Sequence, residues 1–203
     1  MLGLPSTTEV VQRIPKEAFY RNMGLDARAR EQFVSDVGRI VVRNAIRPDT
    51  ANLAEGGSVH EILVVEVEPK GGEVPEAVVG TILRANPNPM VVVDAGTGRA
   101  WARAAGRTVS TDGLGSLRLA GRDMDEAWDS ILAQLAFRDE DGAGVAERLE
   151  RREAIESLER EVEALDRKCR KERQIARRNE LFAQLRRKQA ELSALKGNDD
   201  GEA

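Results

Sequence analysis

The sequence predicts an α+β fold: a small sheet of three to four strands with packed helices, followed by a long C-terminal coiled-coil helix or helical hairpin. Three stretches carry that expectation. In Val59–Glu68, Ile62, Val64 and Glu66 alternate with Leu63, Val65 and Val67, so the centre is apolar on both faces and belongs inside a sheet. From Pro75 to Ala85, a proline opens a helix whose buried side is Val78, Val79, Ile82 and Leu83. From Val145 to Lys196 no Gly or Pro interrupts a run filled mostly by strong helix formers. Unbroken, that run of ~52 residues would reach about 78 Å at 1.5 Å per residue, too long to be buried against a small domain.

In chain order, Met1 to Arg13 reads as a partly ordered lead. Pro15 opens a helix with Phe19 and Tyr20 as packing residues. Leu25-Asp26 starts a second helix, in which Phe33, Val37, Ile40 and Val41 recur at helical spacing through about Asn44. Pro48-Asp49-Thr50 breaks it, and a loop runs through Gly56-Gly57 to the Val59–Glu68 strand. After the Pro75 helix, Asn86-Pro87-Asn88-Pro89 is a stop, Met90–Val93 a second strand, Asp94–Gly98 a hairpin turn and Arg99–Ala105 a third strand carrying Trp101. A Gly-, Ser- and Thr-rich loop fills Gly106–Gly115, and Leu117–Leu119 forms a short edge strand. Asp123 caps a helix from Met124 to Ala136, with Trp128, Ile131, Leu132 and Leu135 inward. Arg138–Gly144 is a joint. The organisation is thus a globular domain over 1–144, an arm over 145–196 and a disordered tail over 197–203.

Composition narrows the function. The net charge of −4 means that any nucleic-acid contact comes from a local patch. One cysteine and one histidine, His60, leave no disulfide, no zinc set and no Ser-His-Asp or Cys-His site, so neither a metal nor another cofactor is expected. There is no signal peptide and no apolar run of ~18 residues, so a cytoplasmic protein without a membrane partner is expected.

Within the arm, Ile155, Leu158, Val162, Leu165 and Cys169 follow the alternating steps of a coiled-coil seam. The seam fails at Glu172 and Ala176 and resumes in another phase with Ile175, Phe182, Leu185, Leu192 and Leu195. That break means a stutter in one helix or a bend between two, and two packed, antiparallel segments are the preferred reading. Charge is split as well. Glu147–Asp166 has eight acids to four bases; Arg167–Lys196 has eleven bases to three acids. Folding the arm back, or pairing two copies as a homodimer, sets these halves against each other. Arg167, Arg170, Lys171, Arg173, Arg177 and Arg178 are the candidates for contacting phosphates, with Arg170, Arg173 and Arg177 spaced to share a helix face. The plainer alternative is a solvated face laced with i,i+4 ion pairs. No aromatics are interleaved, so any DNA contact is non-specific and salt-sensitive.

The octapeptide from Arg13 to Tyr20, the strand Glu61–Val67, Asn86-Pro87-Asn88-Pro89, and Lys171-Glu172-Arg173-Gln174 followed by Arg178-Asn179-Glu180-Leu181 together resemble a bacterial family known only as a domain of unknown function. The resemblance spans about Ile14 to Leu195. It implies a small α/β domain followed by a charged coiled coil, encoded beside DNA helicases and DNA methyltransferases in restriction-like or phage-defence gene clusters. The function it implies is a non-catalytic accessory subunit that docks on such a helicase or methyltransferase and contacts DNA through the arm. Two alternatives stand beside it. One is a metal-dependent nuclease subunit using Asp49, Glu68 and Lys70, which follow a Pro-Asp…Glu-x-Lys pattern; Pro69 and the lack of a strand before Asp49 speak against it. The other is a free-standing DNA-binding coiled-coil dimer. Gly96-Thr97-Gly98 lacks the Lys and the following helix of a phosphate loop.

Overall fold

The computed structural model describes residues 2–104 and 106–197, apart from the side chains of Tyr20, Arg21 and Asn22. The packing expected of Tyr20 and the tail from 198 onward lie outside the described residues. The chain divides into two compact units, Met1–Val145 and Ala146–Ala203.

The first unit is built on one mixed sheet of six strands, in the order β1-β2-β3-β4-β5-β6. The strands are β1 (Glu9–Arg13), β2 (Val37–Ile46), β3 (Ile62–Pro69), β4 (Met90–Asp94), β5 (Ala100–Ala104) and β6 (Arg107–Thr111). This corrects the expected three to four strands. Every neighbouring pair is antiparallel except β3 and β4, which run parallel with Val65 beside Val92. A parallel neighbour needs a crossover, and the helix α4 (Glu76–Arg84) supplies it. The remaining helices of the unit are α1 (Lys16–Asn22), α2 (Ala27–Ser35), the single turn α3 (Pro48–Ala51) and α5 (Met124–Phe137).

The strand β3 is interior, as its two apolar faces require. Val65 and Val67 join Phe19, Phe33, Val78, Ile82 and Trp101 in a core beneath α1, α2 and α4. Ile62 and Val64 alternate with them, turn to the opposite face and are equally buried. Ala100 and Ala102 turn the same way from Trp101, and α5 packs on β5 and β6 there.

The second helix is shorter than its spacing predicted. It ends at Ser35, and the stretch read as its continuation is the strand β2. Val37, Ile40, Val41 and Val42 sit in a run that is buried on both sides and rich in β-branched residues. With β1 and β3 available to complete its hydrogen bonds, the strand wins over a helical spacing drawn from four positions. The lead contains β1, and the Gly/Ser/Thr loop contains β6. Both are edge strands exposed along most of their length, so neither shows an apolar alternation. Leu117–Leu119 forms no strand; Leu117 is buried and its N–H is donated to the Leu2 carbonyl. At β1 the register slips between Glu9 and Gln12, and Val11 takes φ +45°, a conformation β-branched residues rarely adopt.

Two carboxylates hold loops to this body. Asp94, fully buried, accepts from Val74 N at 2.8 Å, Gly96 N at 2.7 Å and Thr97 N at 3.1 Å. Asp125, in the first turn of α5, accepts from Gly57 N at 2.6 Å, Ser58 N at 3.2 Å and Val59 N at 2.8 Å. A Cβ at Gly56 would fall 2.5 Å from the Val59 oxygen and 2.9 Å from the Asp125 carboxylate, so the loop closes only around glycine. Desolvation pushes the Asp125 carboxyl up, but the three backbone donors outweigh it and hold it below the ordinary value.

Replacing Asp94 by Ala strands one buried donor, Val74 N, and two part-buried ones and is expected to cost about 2 kcal/mol, read as a lower urea midpoint at unchanged slope. Asp125→Ala is expected to cost less, about 1 kcal/mol, because its loop is open to solvent. Its lowered carboxyl makes that contribution complete above the unfolded value of 3.8 and lost as pH falls through the lower folded value. The gap between wild type and Asp125→Ala in melting temperature should therefore close on acidification.

Candidate nucleic-acid interface

The charged run forms two helices, α6 (Val145–Lys171) and α7 (Ile175–Gly197), joined by Glu172-Arg173-Gln174. No residue of the joint is a strong helix breaker, so the reason lies in the seams. Continuing the steps from Ile155 to Cys169 leads to positions 172, 176, 179 and 183. The half-buried and buried positions of α7 are Leu181, Leu185, Lys188, Leu192 and Leu195, in steps of four and three. That set is two residues out of phase, roughly 200° around the helix at ~100° per residue. One straight helix would carry its two apolar stripes on opposite sides. Folding back at 172–174 turns them toward each other.

The return is antiparallel. The Arg151 guanidinium donates to the Leu195 carbonyl at 2.7 Å, Glu159 meets Lys196 at 2.7 Å, and Glu161 meets Lys188 at 3.1 Å. Leu158, Cys169 and Leu185 are buried, while Ile155, Val162, Leu165 and Leu192 are half-buried. Phe182, expected in the seam, is instead 46% exposed, and Leu181 holds the adjoining seam position. Lys188 occupies a seam position but reaches Glu161 across the hairpin and Glu191 on its own helix. Hydrogen bonds to Glu191 and Glu161 raise its pKa. A charged residue at one seam position fixes register at some cost in stability.

Folding back also sorts the charge. The stem, 145–166 with 183–197, carries eight bases against nine acids, while the turn, 167–182, carries seven bases against two acids. All seven bases are exposed. Arg170 pairs with Asp166 at 2.7 Å, and Arg177 approaches Glu172 at 3.8 Å. Arg167, Lys168, Lys171, Arg173 and Arg178 make no ion pair among the described residues, so the turn is not laced with i,i+4 pairs. The expected shared face of Arg170, Arg173 and Arg177 does not exist, because Arg170 closes one helix, Arg173 lies in the joint and Arg177 opens the next. They are gathered by the bend instead.

Electrostatics single out the start of α7. Its first turn has no acid and contains Arg177 and Arg178, placing cations at the positive end of a helix dipole. The Glu172 carboxylate accepts from Gln174 N at 2.9 Å and is the one anion in the joint. At the end of α6, Lys168, Arg170 and Lys171 suit the negative end of its dipole.

The other candidates separate. Asp49 opens α3, just beyond the end of β2 that pairs with Ile62, whereas Glu68 pairs with Arg39 at the opposite end of β3. Six residues of strand, roughly 20 Å, divide them. Glu68 is bound to Arg39 at 2.9 Å. The Lys70 ammonium donates to the Val34 carbonyl at 2.6 Å, and Lys16 donates to the Phe33 and Val37 carbonyls, so both lysines tie down the end of α2. Burial, with Lys70 nearby, lowers the Lys16 pKa. His60 lies 3.5 Å from Glu55 on the surface. The amides of Gly96 and Thr97 are taken by Asp94, leaving no cradle for a phosphate there. No helix among the described residues is long and apolar enough to cross a membrane.

The geometry defines a class of protein: a mixed α/β body carrying a C-terminal helical hairpin with a basic turn. Residues 2–112 and 91–192 match the family described as Domain of unknown function (DUF4391), and the chain belongs to that family. Comparison with curated proteins and with solved structures finds no match.

The revised seam is tested by a pair of variants. Leu185→Ala should destabilise the hairpin by about 2–3 kcal/mol, whereas Phe182→Ala should change it by less than about 0.5 kcal/mol. Thermal melts of the full chain followed by helical circular dichroism distinguish the two.

Proposed function

We propose that this protein is a non-catalytic accessory subunit of a bacterial DNA-processing complex of the restriction-like, phage-defence kind, and that the turn of its hairpin holds the DNA phosphate backbone. One observation carries the DNA contact: the turn gathers seven exposed bases against two acids, five of them in no ion pair among the described residues. Such a patch attracts a polyanion whatever its sequence. Arg177 and Arg178 lie near a helix N-terminus, where cations cost stability and a bound anion relieves the cost. Without interleaved aromatics the contact positions the protein on DNA and reads no bases. Docking on a helicase or methyltransferase rests on the family resemblance of the sequence, and the α/β body is the part assigned to it. The subunit positions a larger enzyme and makes or breaks no bond itself.

Binding to duplex DNA should weaken linearly in log–log form with salt, by about −0.9 in slope per phosphate contacted. Changing Arg177 and Arg178 to Glu should lower affinity at least ~10-fold near 0.1 M salt and flatten the slope by about 2. Fluorescence anisotropy with unrelated duplexes checks both. Affinity unmoved by the double change would place the contact elsewhere and end this reading.

A further inference from the structure

A second anion site lies on the body, at the end of the sheet where β2 and β5 finish and β3 and β4 begin. A cleft of about 370 Å³ opens there, walled by Phe19, Leu63, Ile82 and Met90 and rimmed by Gln12 and Asn86. A groove of about 450 Å³ adjoins it, sharing Asn86 and Met90, and is lined by Arg84 and Arg103. Asn86-Pro87-Asn88-Pro89 forms the ridge between them, pinned where Asn88 N donates to the Asn86 side-chain oxygen at 2.9 Å.

Charge decides what this pair of cavities takes. Among the described residues the one carboxylate lining either cavity is Glu61, and both of its oxygens are engaged, one by Arg47 at 2.7 Å and the other by Asn88 at 2.8 Å. Arg84 and Arg103 are exposed and make no ion pair among the described residues. Among the described side chains that leaves two guanidinium groups uncompensated, which suits a phosphate. The cleft is apolar in its walls and polar at its rim. An alkyl chain would leave the Gln12 amide and the Asn86 NH2, whose carbonyl oxygen is held by Asn88 N, without a use. A heteroaromatic ring has apolar faces for the walls and edge donors and acceptors for those amides.

We propose that this end of the sheet binds a nucleotide, its base in the cleft and its phosphate on Arg84 and Arg103. A free mononucleotide and a nucleotide within a single strand share that chemistry. The site does not rest on the hairpin contact, and different residues test it.

The test is calorimetric titration of the full chain with deoxyadenosine monophosphate, thymidine monophosphate, inorganic phosphate and a five-nucleotide single strand. Three variants accompany the wild type: Arg84→Ala with Arg103→Ala, Ala85→Phe at the exposed end of α4 to fill the cleft, and Arg177→Glu with Arg178→Glu. The expected result is that at least one nucleotide ligand binds at least 10-fold more tightly than inorganic phosphate. The first two variants should weaken that binding at least 10-fold, and the hairpin variant should leave the mononucleotide unchanged. Mononucleotide binding points to a free ligand as source; binding of the strand alone, lost with the first two variants, points to a nucleic acid. The proposal is overturned if nothing binds at millimolar concentration, if inorganic phosphate binds as well as the nucleotides, or if binding survives both body variants. Strand binding lost only with the hairpin variant overturns it too, while leaving the hairpin reading intact.

Discussion

The body depends on hiding β3. Ile62, Val64, Val65 and Val67 are all essentially inaccessible, two on each face of the strand. Burying each is worth roughly 1.5–3 kcal/mol, which is lost on whichever face lacks a cover. A strand of this kind therefore demands helices above and below and a neighbour along each side. The parallel partner β4 makes the crossover helix α4 obligatory, and α4 with α1 and α2 covers one face of the sheet while α5 packs on β5 and β6. Buried Asp94 then ties the start of that crossover to the β4–β5 turn.

This dependence explains which parts of the fold were legible in the sequence. Elements with a two-sided or one-sided apolar signature announced themselves: β3, α4, the β4–β5 hairpin and α5 were all legible from spacing and turn residues. The strand β2 was not, because Phe33, Val37, Ile40 and Val41 satisfy a helical spacing while belonging to two different elements. Only the neighbouring strands decide that case. Edge strands β1 and β6 carry little apolar patterning and left almost no trace.

The candidate sites were legible in unequal degree. The bases of the arm stand together in sequence, so the patch was visible, and the seam break at Glu172 favoured two antiparallel segments; the gathering of Arg170, Arg173 and Arg177 by the bend was not visible. Glu172, Arg173 and Gln174 are ordinary helical residues, and only the half-turn offset between two seams tells that the chain reverses there. The reversal matters for electrostatics. It sets an acidic segment beside a basic one along the stem, where they nearly cancel, and leaves the excess at the turn. The second pair of cations was invisible, because Arg84 and Arg103 lie on different elements and are brought together only by the sheet. Asn86-Pro87-Asn88-Pro89 read as a helix stop, and nothing in its spacing marks it as a ridge between two cavities.

The irregular outer strand has a consequence for how the protein survives in a crowded solution. A bare sheet margin invites a stranger's strand to zip onto it, and growth of that kind ends in fibres. Here the margin is interrupted between Glu9 and Gln12, with Val11 twisted out of the extended geometry that zipping requires. An incoming chain would find its ladder broken after a rung or two, so this flank is a poor template for such growth.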